Sequence, residues 1–236
     1  MNKYSLVIPC FNEENNLLLL IERAREVFSG RRDIELILVD NGSTDKSFEI
    51  MTHAALINEY LVIERVEKNQ GYGFGILSGL KKATGDFIGW THADMQTDLA
   101  DVLAAIELIE SAGVKKLFSK GRRIKRPLAD NIFTIGMSIF ETILLKTRLW
   151  DINAQPTFFD KDFFLDHFDH APKDFSLDLF AYYFALKTNR PIFRHPVIFG
   201  ERAHGESHWN VDLSSKLKFI KRTLSYSFNL KRQLSK

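Results

Sequence analysis

Residues 86–98, DFIGWTHADMQTD, pass from an apolar run into a polar cluster within a few positions. The run FIGW carries no polar side chain, and a histidine, two aspartates and a glutamine follow it. Chains that leave a buried strand this abruptly tend to do so at a site. Three earlier segments show the same transition. YSLVIP (4–9) leads into PCFNE (9–13), IELILVD (34–40) into VDNGSTD (39–45), and LVIERV (61–66) into NQGYG (69–73).

The near-continuous hydrophobicity of these four runs suits strands covered on both faces. Between them lie EENNLLLLIERAREVF, TDKSFEIMTHAALI and GFGILSGLKKA, each with helical spacing and a polar start. The alternation predicts an α/β fold with a doubly wound, mostly parallel sheet flanked by helices. A further helix is expected from Asp98 to Ser111, then a strand over VKKLFSK (114–120). All four polar strand ends then fall on one side of the sheet, where such folds bind small molecules. Taken singly, each fragment also reads as a turn or a cap. Ser43 or Thr44 can cap a helix, and Gly71, Gly73 and Gly75 can form a permissive loop. GYGFG is not the dinucleotide fingerprint, because its third glycine comes one residue early.

With 236 residues, 45% apolar and 26% charged, the chain has the composition of a soluble globular protein. The single cysteine, Cys10, cannot form an internal disulfide and suits a reducing compartment. No apolar run approaches the roughly 18–20 residues of a membrane span, and no leader is visible, so a cytoplasmic location is expected. The net charge of +2 is unevenly spread: from Leu213 onward there are seven basic residues and no acid. The rest of the chain is net acidic, which is not the pattern of a nucleic-acid binder. Leu213, Leu217, Ile220 and Leu224 share a helical stripe, with Lys218, Lys221 and Arg222 opposite. Residues 213–236 are thus expected to form a basic amphipathic helix. It would lie peripherally on an anionic inner membrane face or pack on the body.

Taken in order, VIPCFNEE, VDNGSTD and NQGYGFGILSGLKKATGDFIGWTHADMQ resemble the nucleotide-sugar half of a family 2, GT-A-fold (Rossmann-like) glycosyltransferase. The likeness is to dolichol-phosphate mannosyltransferase and bacterial polyprenyl-phosphate sugar transferases. It implies a single catalytic domain over 1–212, with a nucleotide-sugar half (1–98) and an acceptor half (99–212). Pro9, Phe11 and Glu13 match the first donor loop, Asp40 the first acid of a VDDGS-type loop, and Gly71 the glycine-rich loop. Asn41 stands where that loop has its second acid. Asp94 and Gln96 match the end of a DADxQ motif, and His92 replaces its first acid.

The resemblance implies a divalent metal, Mg²⁺ or Mn²⁺, that neutralises the departing diphosphate as a Lewis acid. Asp94, Gln96 and His92 are the candidate ligands, with Asp94 expected to be essential. Imidazole suits Mn²⁺ better than Mg²⁺, so His92 would shift the metal preference; alternatively it only hydrogen-bonds ribose or phosphate.

On the acceptor side, Arg122 in the basic run SKGRRIKRP (119–127) matches an arginine that meets acceptor phosphate, a task suited to its bidentate fork. The alternative for that run is a solvated face. DINAQPTFFDKDFF (151–164), which contains Gln155, resembles a DLTGSFRLYRKEVL-type segment, with Thr157 in place of the arginine. Asp178 matches an acid near the acceptor. It would be a general base for a hydroxyl acceptor and a positioning group for a phosphate; the alternative is an exposed helix carrying Asp174 and Asp178. GERAHGESHWN (200–210) resembles an R-x-x-G-E-S-K segment. It places Arg202, His204 and Ser207 near phosphate, with His208 in place of the lysine. The resemblance therefore implies inverting transfer from a nucleotide-diphosphate sugar to a lipid-linked acceptor such as polyprenyl phosphate. The rivals are a hydroxyl of a surface polysaccharide or lipopolysaccharide, and an inert nucleotide-sugar-binding subunit, which His92, Asn41 and Thr157 favour.

Overall fold

The computed structural model describes residues 3–200 and 213–234. Arg202, His204, Ser207 and His208 lie outside the described residues. The first half runs β1 (Tyr4–Cys10), α1 (Glu14–Val27), β2 (Ile34–Asn41), α2 (Ser47–Ala55), β3 (Leu61–Val66), α3 (Tyr72–Lys82) and β4 (Phe87–Trp90). The second runs α4 (Ala100–Ala112), β5 (Phe118–Ile124), α5 (Leu128–Leu145), β6 (Thr157–Asp160), α6 (Lys161–His167), α7 (Leu177–Lys187), β7 (Ile192–Ile198) and α8 (Leu213–Leu234).

All seven strands belong to one sheet, in the order β3-β2-β1-β4-β6-β5-β7. β6 runs antiparallel to both neighbours and every other pairing is parallel, so the sheet is mostly parallel, as the alternation of strands and helices predicts. Side-chain alternation along each strand splits the core into two layers. Val7, Ile37, Val39, Ile88, Trp90 and Phe159 face α3, α5, α6 and α7. Leu6, Ile8, Leu36, Leu38 and Phe158 face α1, α2 and α4. Burial on both faces is why these strands read as continuous apolar runs.

The strand expected over 114–120 begins later and reaches further. Gly113 ends α4 in a left-handed conformation, and Val114, Lys115 and Lys116 stay exposed. Pairing with β7 then carries β5 from Phe118 through Ile124. Residues 119–124 of the basic run are therefore strand.

α8 packs in part against α5. Ser227 and Leu230 are buried, and the Ser227 hydroxyl donates to Glu141 Oε1 at 2.6 Å. Lys221, Lys231 and Arg232 are exposed. Arg222, expected among the free charges, lies 3.5 Å from Asp174 and over the Phe175 ring, because the loop before α7 runs alongside the helix.

Candidate functional site

The parallel pairing of β1 with β2 and β4, and of β2 with β3, brings the polar loops after these strands to one end of the sheet. Two of them are stitched together by side chain to backbone hydrogen bonds. Asn12 N donates to Ser43 Oγ at 3.0 Å, and Thr44 N donates to Asn12 Oδ1 at 2.8 Å. Glu14 N donates to Asp45 Oδ2 while Lys46 N donates to Glu14 Oε2, so each loop caps a helix begun by the other. Ser47 Oγ accepts from Glu13 N at 2.8 Å. Ser43 and Thr44, which read singly as caps, instead bind Asn12 across the loops, and the carboxylates of Asp45 and Glu14 take the backbone N–H groups at the helix starts.

Gly71 has φ +108°, and a Cβ there would meet Lys173 O at 2.6 Å; at Gly73 a Cβ would meet Asp174 O at 2.6 Å. Glycine is required here because the loop before α7 presses on the start of α3. That contact joins the two halves of the chain. Between them lies a cavity of about 450 Å³.

Its donor end is lined by Pro9, Phe11, Glu13, Asn41, Gly71, His92, Asp94 and Gln96, all named from sequence. Asp178 lines its middle. Asp40, Arg122 and Gln155 do not line it. Asp40 is fully buried; its Oδ1 accepts from Ser43 N at 2.9 Å, which holds the turn of the second loop. Arg122 is exposed, whereas Arg123 lines the cavity, since neighbouring strand residues point to opposite faces. Gln155 sits behind the wall and donates to the Tyr72 hydroxyl.

Asn41 replaces an acid for a legible reason. Its amide donates to Gly71 O at 3.1 Å, a bond no carboxylate can donate. His92 stacks on Tyr72 (centroids 5.5 Å apart), which stacks in turn on Phe175 (4.5 Å). A flat ring at position 92 thus completes a three-ring pile across the cavity. Burial and nearby Asp178 push the Tyr72 phenol well up, so it stays protonated. Asp94 is buried, and its Oδ1 accepts from Gln96 N at 3.2 Å. Gln96 Nε2 donates to Gly200 O at 3.2 Å. No cluster of three or more His, Cys, Asp or Glu occurs among the described residues. One carboxylate at a diphosphate site still fits a hard divalent cation, which takes its remaining oxygens from phosphate and water.

The far end is cationic and apolar. The Arg123 guanidinium pairs with Asp151, Nε to Oδ1 at 2.8 Å. Arg126 has only a looser partner, with Nη2 4.0 Å from exposed Asp130; its Nη1 donates to Thr134 Oγ1 at 2.7 Å, and its buried Nε has no acceptor. Burial and the adjacent Arg123 lower its pKa. Phe133, Met137, Ile152 and Phe199 supply apolar wall, and Glu141 closes the end beside α8. Asp178 is buried at the start of α7, not exposed, and Asp174 precedes the helix. Its carboxylate lies 3.6 Å from Lys120 Nζ.

Sequence reasoning passed over Tyr72, Lys120, Arg123 and Arg126. For the two arginines the signal was present in KGRRIKR, but choosing among its cations required knowing where β5 ends.

Residues 5–159, which include most of the mostly parallel sheet and its polar strand ends, match the model of glycosyl transferase family 2. The chain belongs to that family, and its fold is GT-A. Undecaprenyl-phosphate 4-deoxy-4-formamido-L-arabinose transferase of Photorhabdus laumondii is 36% identical over 112 residues, 47% of this chain and 34% of that protein. The Proteus mirabilis enzyme of the same name is 39% identical over 98 residues, 41% and 30% of the two chains. The match thus spans about a third of the length of these relatives. Among solved structures, Mycobacterium tuberculosis glucosyl-3-phosphoglycerate synthase with phosphoglyceric acid superposes with TM-score 0.72 at 15% identity, over 98% of this chain and 80% of that one. Staphylococcus aureus TarS with UDP-GlcNAc gives 0.62 at 19%, over 86% and 60%. The synthase has also been solved with Mn²⁺ and UDP.

Proposed function

We propose that the chain transfers a sugar, with inversion, from a nucleoside-diphosphate donor to a polyprenyl phosphate at a membrane surface. One observation carries the reading: a single cavity connects the donor loops to a buried arginine whose Nε has no acceptor, along an apolar wall. That combination suits an acceptor with a phosphate head and a hydrocarbon tail. The names of the relatives, undecaprenyl-phosphate sugar transferases, support the same acceptor class.

The donor base and ribose would lie against Pro9, Phe11, Glu13 and Asn41, with the diphosphate toward Asp94. Asp94 would hold a Mg²⁺ or Mn²⁺ ion, with Gln96 and His92 beside it, and the ion would offset charge on the leaving diphosphate. Arg126, beside the Arg123–Asp151 pair, would hold the acceptor phosphate. A phosphate oxygen attacks the anomeric carbon on the face opposite the diphosphate. The bond from that carbon to the diphosphate oxygen breaks, and the nucleoside diphosphate departs. No general base is needed, because the nucleophile is already an anion.

The hydrocarbon tail has a path. Leu128, Ile132, Ile135, Ile139 and Ile143 form an exposed stripe down α5, the helix that also turns Phe133 and Met137 into the cavity. Exposed Lys221 and Arg232 on neighbouring α8 would meet anionic headgroups, each worth about 1 kcal/mol near the surface. Among the described residues no helix is long and apolar enough to cross a membrane, so the contact would be peripheral.

The test is incubation of the purified chain with a panel of nucleotide sugars, undecaprenyl phosphate and Mg²⁺ or Mn²⁺. The expected outcome is a sugar-phosphate lipid in the organic phase, identified by mass. Transfer only to a glycan or lipopolysaccharide hydroxyl would make Asp178 a general base and overturn the acceptor assignment. Donor binding without transfer or hydrolysis would instead point to an inert subunit.

A further inference from the structure

Lys120 is fully buried, a rare environment for a lysine. Its Nζ donates to Thr157 Oγ1 at 3.2 Å and lies 3.6 Å from Asp178 Oδ1. It sits on β5 behind the cavity wall, while Asp178 is part of that wall. Thr157 is its register partner on β6 and stands where the resembling segment has an arginine. The lysine therefore places a cation, from the next strand, beside the position where an arginine is missing.

The carboxylate of Asp178 creates a problem for an anionic acceptor. Its Oδ1 has no hydrogen-bond partner, and the residue lines the same cavity as Asp94 and Arg126. Two anions a few ångströms apart in a poorly screened cavity repel strongly. We propose that Lys120 is a positioning residue that neutralises Asp178, so that the acceptor phosphate meets an overall neutral wall rather than a bare carboxylate. The inference rests on the phosphate-acceptor reading above and names a specificity determinant for it. Lys120 touches neither substrate; it acts through Asp178.

The pair should also respond to pH. Burial is the main influence on Lys120 and pulls its pKa down to about 8, with Asp178 on α7 opposing. Arg194 on β7 and Arg123 on β5 lower it further, while Asp151 before β6 raises it. Thr157 on β6 is neutral, and so is Tyr72 on α3, whose phenol is kept protonated by burial and by Asp178. Below about pH 8 the lysine is charged and the pair is neutral. Above it the lysine loses its proton and Asp178 is left uncompensated. A phosphate monoester completes its second ionisation near pH 6, so the acceptor's own titration falls elsewhere.

The experiment measures KM for undecaprenyl phosphate and for the sugar nucleotide in wild type, Lys120→Met, Asp178→Asn and the double variant. Lys120→Met should raise the acceptor KM roughly tenfold or more and leave the donor KM unchanged. The double variant, again neutral, should recover most of that loss. In wild type the acceptor KM should climb as pH passes about 8, and in the double variant it should stay flat. A double variant no better than Lys120→Met, or equal changes in both KM values, overturns the proposal and leaves Lys120 a structural residue. Should Lys120→Met fail to fold, the wild-type pH profile decides alone. Independently of turnover, NMR of labelled lysine ε-groups should show one signal titrating near 8 that moves lower in Asp178→Asn. The absence of such a signal overturns the pair itself. If wild type transfers nothing to undecaprenyl phosphate, the acceptor reading fails first and takes this proposal with it.

Discussion

The two ends of the cavity are held in place by different physics. At the donor end, hydrogen bonds between side chains and backbone, most of them from loop to loop, fix the site: Asn12 to Ser43 and Thr44, Glu14 to Asp45, Asn41 to Gly71. At the acceptor end, buried charges pair across elements: Lys120 with Asp178 and Arg123 with Asp151. Buried pairs add little net stability, because desolvating both ions offsets their attraction. What they supply is placement, since neither partner can leave without stranding the other. The donor end should therefore tolerate changes of pH and salt, while the acceptor end should not.

The largest effect would break the donor end. Asp94→Ala removes the carboxylate that, in the proposed reading, would hold a cation at the diphosphate. Turnover should fall by roughly 10³-fold or more, the scale of several kcal/mol of leaving-group stabilisation. The measurement is single-turnover transfer at saturating donor, with metal varied. Near-normal activity in the presence of a chelator would remove metal from the site altogether.

A smaller effect separates the ends. Arg126→Ala should raise the KM for undecaprenyl phosphate by roughly 10–100-fold, the scale of a charge-assisted hydrogen bond, and leave the donor KM alone. Arg122→Ala, which alters an exposed side chain, should do neither. If Arg122→Ala weakens acceptor binding and Arg126→Ala does not, the acceptor phosphate approaches from outside the cavity described here.

The same contrast explains what was legible in the sequence. The donor motifs lie at the ends of parallel strands, so quoting VIPCFNEE, VDNGSTD and THADMQ is nearly equivalent to locating them in space. Even there, position 92 could be read as metal ligand or ribose contact, because its stacking on Tyr72 needs α3 folded beside β4. The acceptor end depends on pairing that spacing does not encode. Lys120 meets Asp178 only because β5 lies between β6 and β7 under α7, 58 positions later in the chain. Arg122 was favoured over Arg123 and Arg126 because a motif match cannot say which face of a strand turns inward. The basic tail reads equally as a membrane-surface helix or as one packed on the body, and its packing on α5 shows in sequence only as unremarkable residues such as Ser227 and Leu230.

The smallest expected effect concerns that packing, and it tests the claim that only the acceptor end titrates. Glu141 is buried between α5 and α8, accepts from Ser227, and has a second oxygen with no hydrogen-bond partner. Burial raises its pKa from an ordinary carboxylate value to about 7. Between the unfolded value near 4.5 and about 7, the folded protein therefore binds more protons at this site than the unfolded chain. Stability must fall as pH rises through that window, reach its lowest contribution above 7, and recover on acidification. Glu141→Gln keeps an acceptor for the Ser227 hydroxyl and cannot ionise. The variant should match wild type near pH 4.5 and exceed it above pH 7, by an amount of order 1–3 kcal/mol. Urea unfolding at several pH values, compared as a difference between the two proteins, cancels the other titrating groups. A difference that stays constant with pH would mean Glu141 is ionised in the fold and already compensated, and α8 would then be held by charge after all.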